Sequence, residues 1–344
     1  MTAFREQARW QAGWCDKLGS PLTAMLCTLL AERLDPASPL GRALDGWPGD
    51  PFADVLALRV TGALHALVRQ GSAPGLARLY PPAPLPDAEA LWAALALVLA
   101  AGLVEPWLGS APQTNEVMRS AVLVPGMLVA ASVTGLPLHL LELGTSAGLN
   151  LVPDRYRIEA GGVVAGDPGS PVRLRPDWQG PPPPNVALAI VGRKGVDLAP
   201  VPPEDAARML AYIWPDQGER LARTEAALAL LAADPPPLVE GDAADFVEAE
   251  AWPREGRLTL LFHSIAHQYF GRETKARIGA HMARAGAAAH AGAPLGWLRF
   301  EADDPAASAP PTLRLRIWPP AGGGEPDRLL ARAHPHGSRV EWLG

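Results

Sequence analysis

The residues able to do chemistry sit where apolar runs end. The clearest case is Leu138 to Asn150, Leu-His-Leu-Leu-Glu-Leu-Gly-Thr-Ser-Ala-Gly-Leu-Asn. Apolar positions lead to an acid, Glu142, and glycines follow at 144 and 148. This spells a buried strand, a glycine turn and the start of a helix. Gly144 lets the chain turn sharply with no Cβ in the way. Gly148 lets the helix begin close to whatever lies over the turn, where free N–H groups favour polar or anionic ligand atoms. Strand, glycine turn and helix together form a nucleotide-binding device in doubly wound sheets.

Three further runs end in candidate residues. Val186 to Val191 is a strand candidate, and Asp197 follows it. A carboxylate there can accept both hydroxyls of a ribose, although a turn aspartate reads the same way. Leu238-Val239-Glu240 leads into Gly241-Asp242, where Asp242 could reach an adenine amine or simply cap the next helix. Leu258 to Phe262 ends in His263-Ser264. His263 at a strand end can act as a general base or orient a substrate. The spacing of His263 and His267 resembles a helical zinc pair, but no acid follows His263 and no third ligand is evident, so no metal site is expected. Upstream, Pro112 to Ser120 places Gln113, Asn115, Glu116 and Arg119 before an apolar helix. They either face a substrate or serve that helix, with Thr114 or Asn115 as cap and Glu116 in its first turn.

Elements must position these residues. Phe4 to Leu18, Pro21 to Leu34, Pro51 to Gln70 and Asp87 to Val104 carry apolar residues at helical spacing. Ser20-Pro21 reads as an N-cap with proline at the first helical position. No strand pattern precedes residue 138. The expected organisation is a helical N-terminal or cap domain over 1–135 and an α/β domain over 136–344. An insertion at about 151–184 separates the first strand from the second. In it, Tyr156 to Glu159 and Val163-Val164 flank Gly161-Gly162 as a hairpin, and Pro181 to Pro184 is a stiff spacer. It is either a lid or substrate wall, or a decorated surface loop. Thr312 to Trp318, Leu329 to Ala333 and Arg339 to Trp342 are strand candidates, the later ones an antiparallel edge.

Composition excludes several classes. With 344 residues the chain can bury a sizeable core. A net charge of -6 argues against a general nucleic-acid or anionic-membrane binder. Two cysteines exclude a disulfide framework and fit a reducing cytosol. The charged start, Phe4 to Trp10, has no apolar signal region. Ala90 to Val104 is too short to span a bilayer, and Ser120 to Leu141 is interrupted by Pro125, Gly135 and Pro137. A soluble, cytoplasmic protein is expected, with a small-molecule substrate rather than a nucleic-acid or membrane partner.

Glu142-x-Gly144-x-x-x-Gly148, Gly195-Val196-Asp197, Gly241-Asp242-Ala243 and a strand ending in His263-Ser264 resemble, in this order, the motifs of class I S-adenosylmethionine-dependent methyltransferases. The resemblance implies a Rossmann-like three-layer sandwich, a parallel sheet ending in antiparallel strands. It also implies S-adenosylmethionine as cofactor. Glu142, Gly144, Ser146 and Gly148 would hold its methionine part, Asp197 the ribose and Asp242 the adenine, with Asn150 and Ser264 as neighbouring cofactor contacts. His263 would handle the proton of an oxygen or nitrogen acceptor. No Asn-Pro-Pro-aromatic motif follows the fourth strand, which points away from amide or adenine N-methylation. The whole chain also resembles a bacterial family of unknown function, at Gln113 to Glu116, Glu142 to Asn150, Gly195 to Pro200, Trp214 to Gln217 and His263-Ser264. Two alternatives stand beside this reading. One is a non-catalytic protein that binds S-adenosylmethionine or a nucleotide. The other is an NAD(P)-dependent oxidoreductase, which Ser146 disfavours because a dinucleotide turn wants glycine there.

Overall fold

A computed structural model describes residues 1–109, 111–202, 205–303, 309–319 and 327–344. Its helices are α1 (Thr2–Lys17), α2 (Pro21–Arg33), α3 (Pro39–Asp45), α4 (Leu56–Arg69), α5 (Pro74–Ala77), α6 (Ala88–Ala100), α7 (Ser120–Thr134), α8 (Ala206–Ala211), α9 (Gly218–Ala233), α10 (Ala243–Glu250) and α11 (Arg272–Ala287). Its strands are β1 (Leu138–Leu143), β2 (Arg157–Ala160), β3 (Val163–Gly166), β4 (Arg173–Leu174), β5 (Asp177–Gln179), β6 (Ile190–Asp197), β7 (Leu238–Glu240), β8 (Leu258–Ser264), β9 (Leu295–Glu301), β10 (Thr312–Trp318), β11 (Arg328–Ala333) and β12 (Arg339–Trp342). The chain forms two compact units, Met1–Thr114 with Glu204–Glu225 and Asn115–Pro203 with Ala226–Gly344. Residues 115–135, placed with the helices by their composition, therefore belong with the sheet, because α7 packs on β9, β10 and β2.

The first unit is helical, with a core of leucines and alanines from α1 to α6. Its second helix is capped from afar. Ser20 makes no side-chain cap bond, contrary to the local expectation. Instead the Asp216 carboxylate accepts from Leu22 N at 3.2 Å, Thr23 N at 3.4 Å and Ser20 Oγ at 2.5 Å. A negative charge at a helix N-terminus satisfies N–H groups that the helix itself leaves open.

The second unit is mixed α/β around a large, mostly parallel sheet. Nine strands run in the order β5-β12-β11-β10-β9-β8-β1-β6-β7. The stretch β7-β6-β1-β8-β9 is parallel throughout, and β9 to β12 form an antiparallel meander. Strands β1 and β8 are buried along nearly their whole length. That burial on both faces is why they read as continuous apolar runs. Leu141, Leu143, Val196, Leu261 and Leu295 share one cluster with α10 and α11. Leu298 lies on the other face, where it leaves no room for a side chain at Gly126 of α7. The stretch Val117–Thr134, long and apolar enough to cross a membrane, is largely buried and serves as a core helix.

Several expectations are corrected. The strand after the insertion is Ile190–Asp197, not Val186 to Val191. Its interior carries Arg193 and Lys194, whose charges are met by Asp154 at 2.7 Å and Glu250 at 2.6 Å. The helix expected after Gly148 is a short 3-10 turn, Leu149–Leu151, which stops before Pro153. The antiparallel strands are not the sheet's edge on their side. The insertion forms the small sheet β3-β2-β4 and then supplies β5, which pairs parallel to β12 beyond them. Trp178 stacks on Trp342 at 5.4 Å to seal that pairing. The insertion is thus part of the fold rather than a loose decoration.

Asp216→Ala is expected to destabilise the protein by about 1 kcal/mol, the usual loss for a helix cap. Chemical denaturation measures this, and Asp216→Asn should retain part of the effect.

Candidate functional site

The carboxyl ends of β1, β6 and β8 collect most of the singled-out residues. Gly144 has φ +67°, and a Cβ there would press on the Ala266 Cβ at 2.8 Å. Gly148 has φ +82°. Between them Ser146, with φ +53°, holds a backbone conformation that costs a non-glycine residue of order 1 kcal/mol or more.

Without a helix behind it, the turn is held by side chains. Asp197 Oδ2 accepts from Ser146 N at 2.9 Å, and its Oδ1 accepts from Ala199 N at 3.0 Å. Asn115 Oδ1 accepts from Leu149 N at 2.8 Å. Ser120 Oγ donates to Asn150 Oδ1 at 2.7 Å, and Asn150 Nδ2 donates to Glu116 O at 3.5 Å. Tyr156 donates its hydroxyl to Leu149 O at 2.7 Å. The polar segment ahead of α7 is therefore laced to the glycine turn. The cap of that helical start is Glu116, whose Oε1 accepts from Met118 N at 3.0 Å, rather than Thr114 or Asn115. Arg119 donates to Ser264 O at 3.1 Å and Pro335 O at 3.0 Å, tying the end of β8 to the β11–β12 turn. Gln113 lies in the helical unit.

Glu142 lies in this cluster and is 1% exposed. Thr145 Oγ1 donates to its Oε2 at 2.7 Å. Burial raises its carboxyl to about 8, the Thr145 bond pulls it down, and the neighbouring Asp197 charge pushes it up again. Glu142 therefore carries its proton at neutral pH. The Ser146 hydroxyl is buried with no hydrogen-bond partner among the described residues.

His263 belongs to a different cluster. Along β8 it shares the face of Leu261, with α10 and α11, whereas Glu142 alternates to the opposite face of β1. His263 is buried, and its Nε2 accepts from Trp297 Nε1 at 3.1 Å. The indole only donates, so the imidazole proton sits on Nδ1 and is given to Glu301 Oε1 at 2.6 Å. The same oxygen accepts from Ala266 N at 3.0 Å and His267 N at 3.1 Å. Burial pushes the Glu301 carboxyl up, but these hydrogen bonds outweigh it and hold it below the usual range. His267 stacks on His263 at 5.3 Å, and its imidazole is lowered to about 4, chiefly by burial and then by His263. Between the two histidines Ile265 sits at φ +49°, a strained setting for a β-branched residue.

Asp242 caps α10, accepting from Ala244 N at 2.8 Å and Asp245 N at 3.3 Å. Sequence reasoning passed over Thr145, Trp297 and Glu301. A threonine between motif glycines and an acid closing the apolar strand Leu295–Glu301 were the available signals. No group of three or more potential metal ligands occurs among the described residues.

The family model for an uncharacterized protein conserved in bacteria (DUF2332) matches residues 5–342, and the chain belongs to that family. No curated protein and no solved structure matches the chain.

Glu142 makes stability pH-dependent. An unfolded chain loses this proton near 4.5, the folded one near 8. Between these values the folded state binds more protons, so stability falls as pH rises. The slope from this group is at most about 1.4 kcal/mol per pH unit, and it vanishes above the folded value. Glu142→Gln should remove that component. The stability of the wild type relative to this variant should drop from pH 5 to 8 and then level off, read by urea denaturation at each pH. A difference constant across the range contradicts a buried, neutral Glu142.

Proposed function

We propose that the sheet unit binds S-adenosylmethionine over the Gly144–Gly148 turn and transfers its methyl group to a small-molecule oxygen or nitrogen acceptor. The supporting observation is the turn itself. It ends the strand from which the order reverses, with β6 and β7 added on one side and β8 and β9 on the other. Ligands of open α/β sheets lie at such a switch point, outside the carboxyl ends of the strands. No α-helix stands behind the turn, and two acids, Glu142 and Asp197, adjoin it. A pyrophosphate would want the helix N-terminus and would be repelled by the Asp197 carboxylate. A nucleoside that carries positive charge and no phosphate suits the same surroundings, which favours this reading over a dinucleotide.

The residues present fit that group. Asp197 is half-buried and receives one N–H on each oxygen, which leaves lone pairs for the ribose hydroxyls. The buried Ser146 hydroxyl has hydrogen-bonding capacity to spare. Glu142 and Ser146 would take the amino-acid tail. Asp242, engaged at the start of α10, is left out of this assignment.

Bound there, the cofactor supplies a methyl group already activated on its sulfonium. The chain's part is to align the acceptor in line with the bond that breaks and to exclude water. Both ring nitrogens of His263 are hydrogen-bonded, so His263 holds the 264–267 turn in place rather than taking the acceptor's proton. That observation also favours a second reading, a protein that binds the nucleoside without turnover.

Isothermal titration is expected to detect S-adenosylmethionine binding, weakened at least tenfold by Asp197→Ala, because two bonds that shape the turn go with the carboxylate. Binding of NAD without S-adenosylmethionine would sink the proposal. Methyl transfer to a panel of small acceptors, absent despite binding, would select the second reading.

A further inference from the structure

A cavity of about 450 Å³ lies where β11 ends and β12 begins, and it shares no lining residue with the glycine turn. Two backbone bonds frame it. Ala333 N donates to Pro311 O at 3.0 Å, and His334 N donates to Arg339 O at 2.9 Å. Strand register places its charges. Arg332 stands opposite Glu341 in the antiparallel β11–β12 pair, and Glu341 stands beside Gln179 in the parallel β12–β5 pair. Arg339, two residues before Glu341 on β12, falls on the same face. These four side chains line the cavity, and Pro310, Pro311 and Pro335 give it an apolar wall.

The charges do not cancel. Arg332 and Glu341 approach only to 3.9 Å, and both are about half exposed, so their attraction is weak. The Arg339 guanidinium makes no hydrogen bond or ion pair among the described residues. Asp177, its neighbour in register on β5, is exposed and lies outside the lining. His334 Nδ1 accepts from His336 N at 3.2 Å. Burial, and then Arg339, hold the His334 imidazole below its usual range against the pull of Glu116. The ring is therefore neutral at pH 7, with its one proton on Nε2 as a further donor. Two guanidinium groups against one carboxylate leave a single positive charge, carried on planar forks that match a carboxylate.

We propose that this cavity binds a small organic molecule carrying one carboxylate beside an apolar body, with Arg339 and Arg332 on the carboxylate and the prolines against the body. The class follows from charge balance. One negative charge neutralises the residual positive one. A phosphate monoester, with nearly two, would set an excess of negative charge beside Glu341. An uncharged ligand would leave Arg339 as unpaired as before. The volume falls within the range of about 300 to 1,000 Å³ that holds small-molecule ligands. Binding here does not depend on the nucleoside reading above.

The test uses three probes with one aromatic body on the full chain: 2-naphthoate, 2-naphthamide and 2-naphthyl phosphate. Isothermal titration at pH 7 and low salt should show 2-naphthoate binding tighter than the phosphate ester and at least tenfold tighter than the amide. Arg339→Ala should weaken 2-naphthoate at least tenfold and leave the amide unchanged. Arg339 is exposed, so the denaturation midpoint of this variant should stay where it is. Glu341→Gln, which adds one positive charge to the balance, should strengthen the phosphate ester more than 2-naphthoate. Failure of 2-naphthoate to bind at millimolar concentration, equal binding of the amide, or an unchanged affinity in Arg339→Ala overturns the site. Tighter binding of the phosphate ester than of 2-naphthoate by the wild type overturns the assigned class. If Arg339→Ala fails to fold, the Glu341→Gln response decides the location, and an unchanged ranking there overturns it.

Discussion

The Ser146 N–H donates to Asp197, and the Leu149 N–H donates to Asn115. On these two bonds the rest of the strand-end site depends. A strand followed by a helix would leave such N–H groups free for a ligand. Here the chain cannot make that helix, and its own side chains satisfy the turn. Asp197 brings in the end of β6, while Asn115 brings in the segment ahead of α7. Each bond therefore joins elements far apart in sequence, by 51 and 34 residues. The turn's shape, with Ser146 in a strained backbone setting, is imposed by these partners and not by its local sequence.

The same arrangement determines the electrostatics. A helix start would have offered a partial positive charge, and the acids would have been its counterpart. In its absence burial, with the like charge of Asp197 nearby, leaves Glu142 protonated. In the sequence, Glu142 and Ser146 already favour S-adenosylmethionine over a dinucleotide. Under the proposed reading, the missing helix points the same way.

How much of this was legible depended on how each element meets its surroundings. β1 and β8 are buried on both faces, so their sequences are apolar runs and were read with nearly correct bounds. β6 was displaced because its interior is Gly-Arg-Lys-Gly. Its charges are met by Asp154 and Glu250, and glycine stands at 195 because the Thr145 side chain occupies the space of a Cβ. Neither fact is local. The cap on α2 shows the same limit, since Ser20 looked sufficient and Asp216 supplies the bonds. The hairpin around Gly161-Gly162 was legible, whereas the pairing of β5 with β12 was not, because the stacking of Trp178 on Trp342 joins residues distant in the chain. At the site, the types and order of Glu142, Ser146 and Asp197 could be read, but not the faces on which they fall.

The faces matter because the sheet separates two kinds of work. Glu142 and His263 belong to the first and the last of the motifs and stand at the ends of adjacent strands. Strand alternation then puts them on opposite sides. On the α7 side the hydrogen bonds are incomplete, with a neutral acid and a spare hydroxyl. On the α10–α11 side they are closed, since Trp297, His263 and Glu301 form a chain in which each ring nitrogen is used. Glu301 also fastens the N–H groups of Ala266 and His267, and so keeps Ile265 in a conformation it would not adopt alone. That strain presents Ala266 against Gly144, where the two turns of the switch point meet. The closed cluster thus acts on the open one through backbone shape. A histidine at a strand end, read from sequence as a base, has both ring nitrogens engaged, with Glu301 and Trp297.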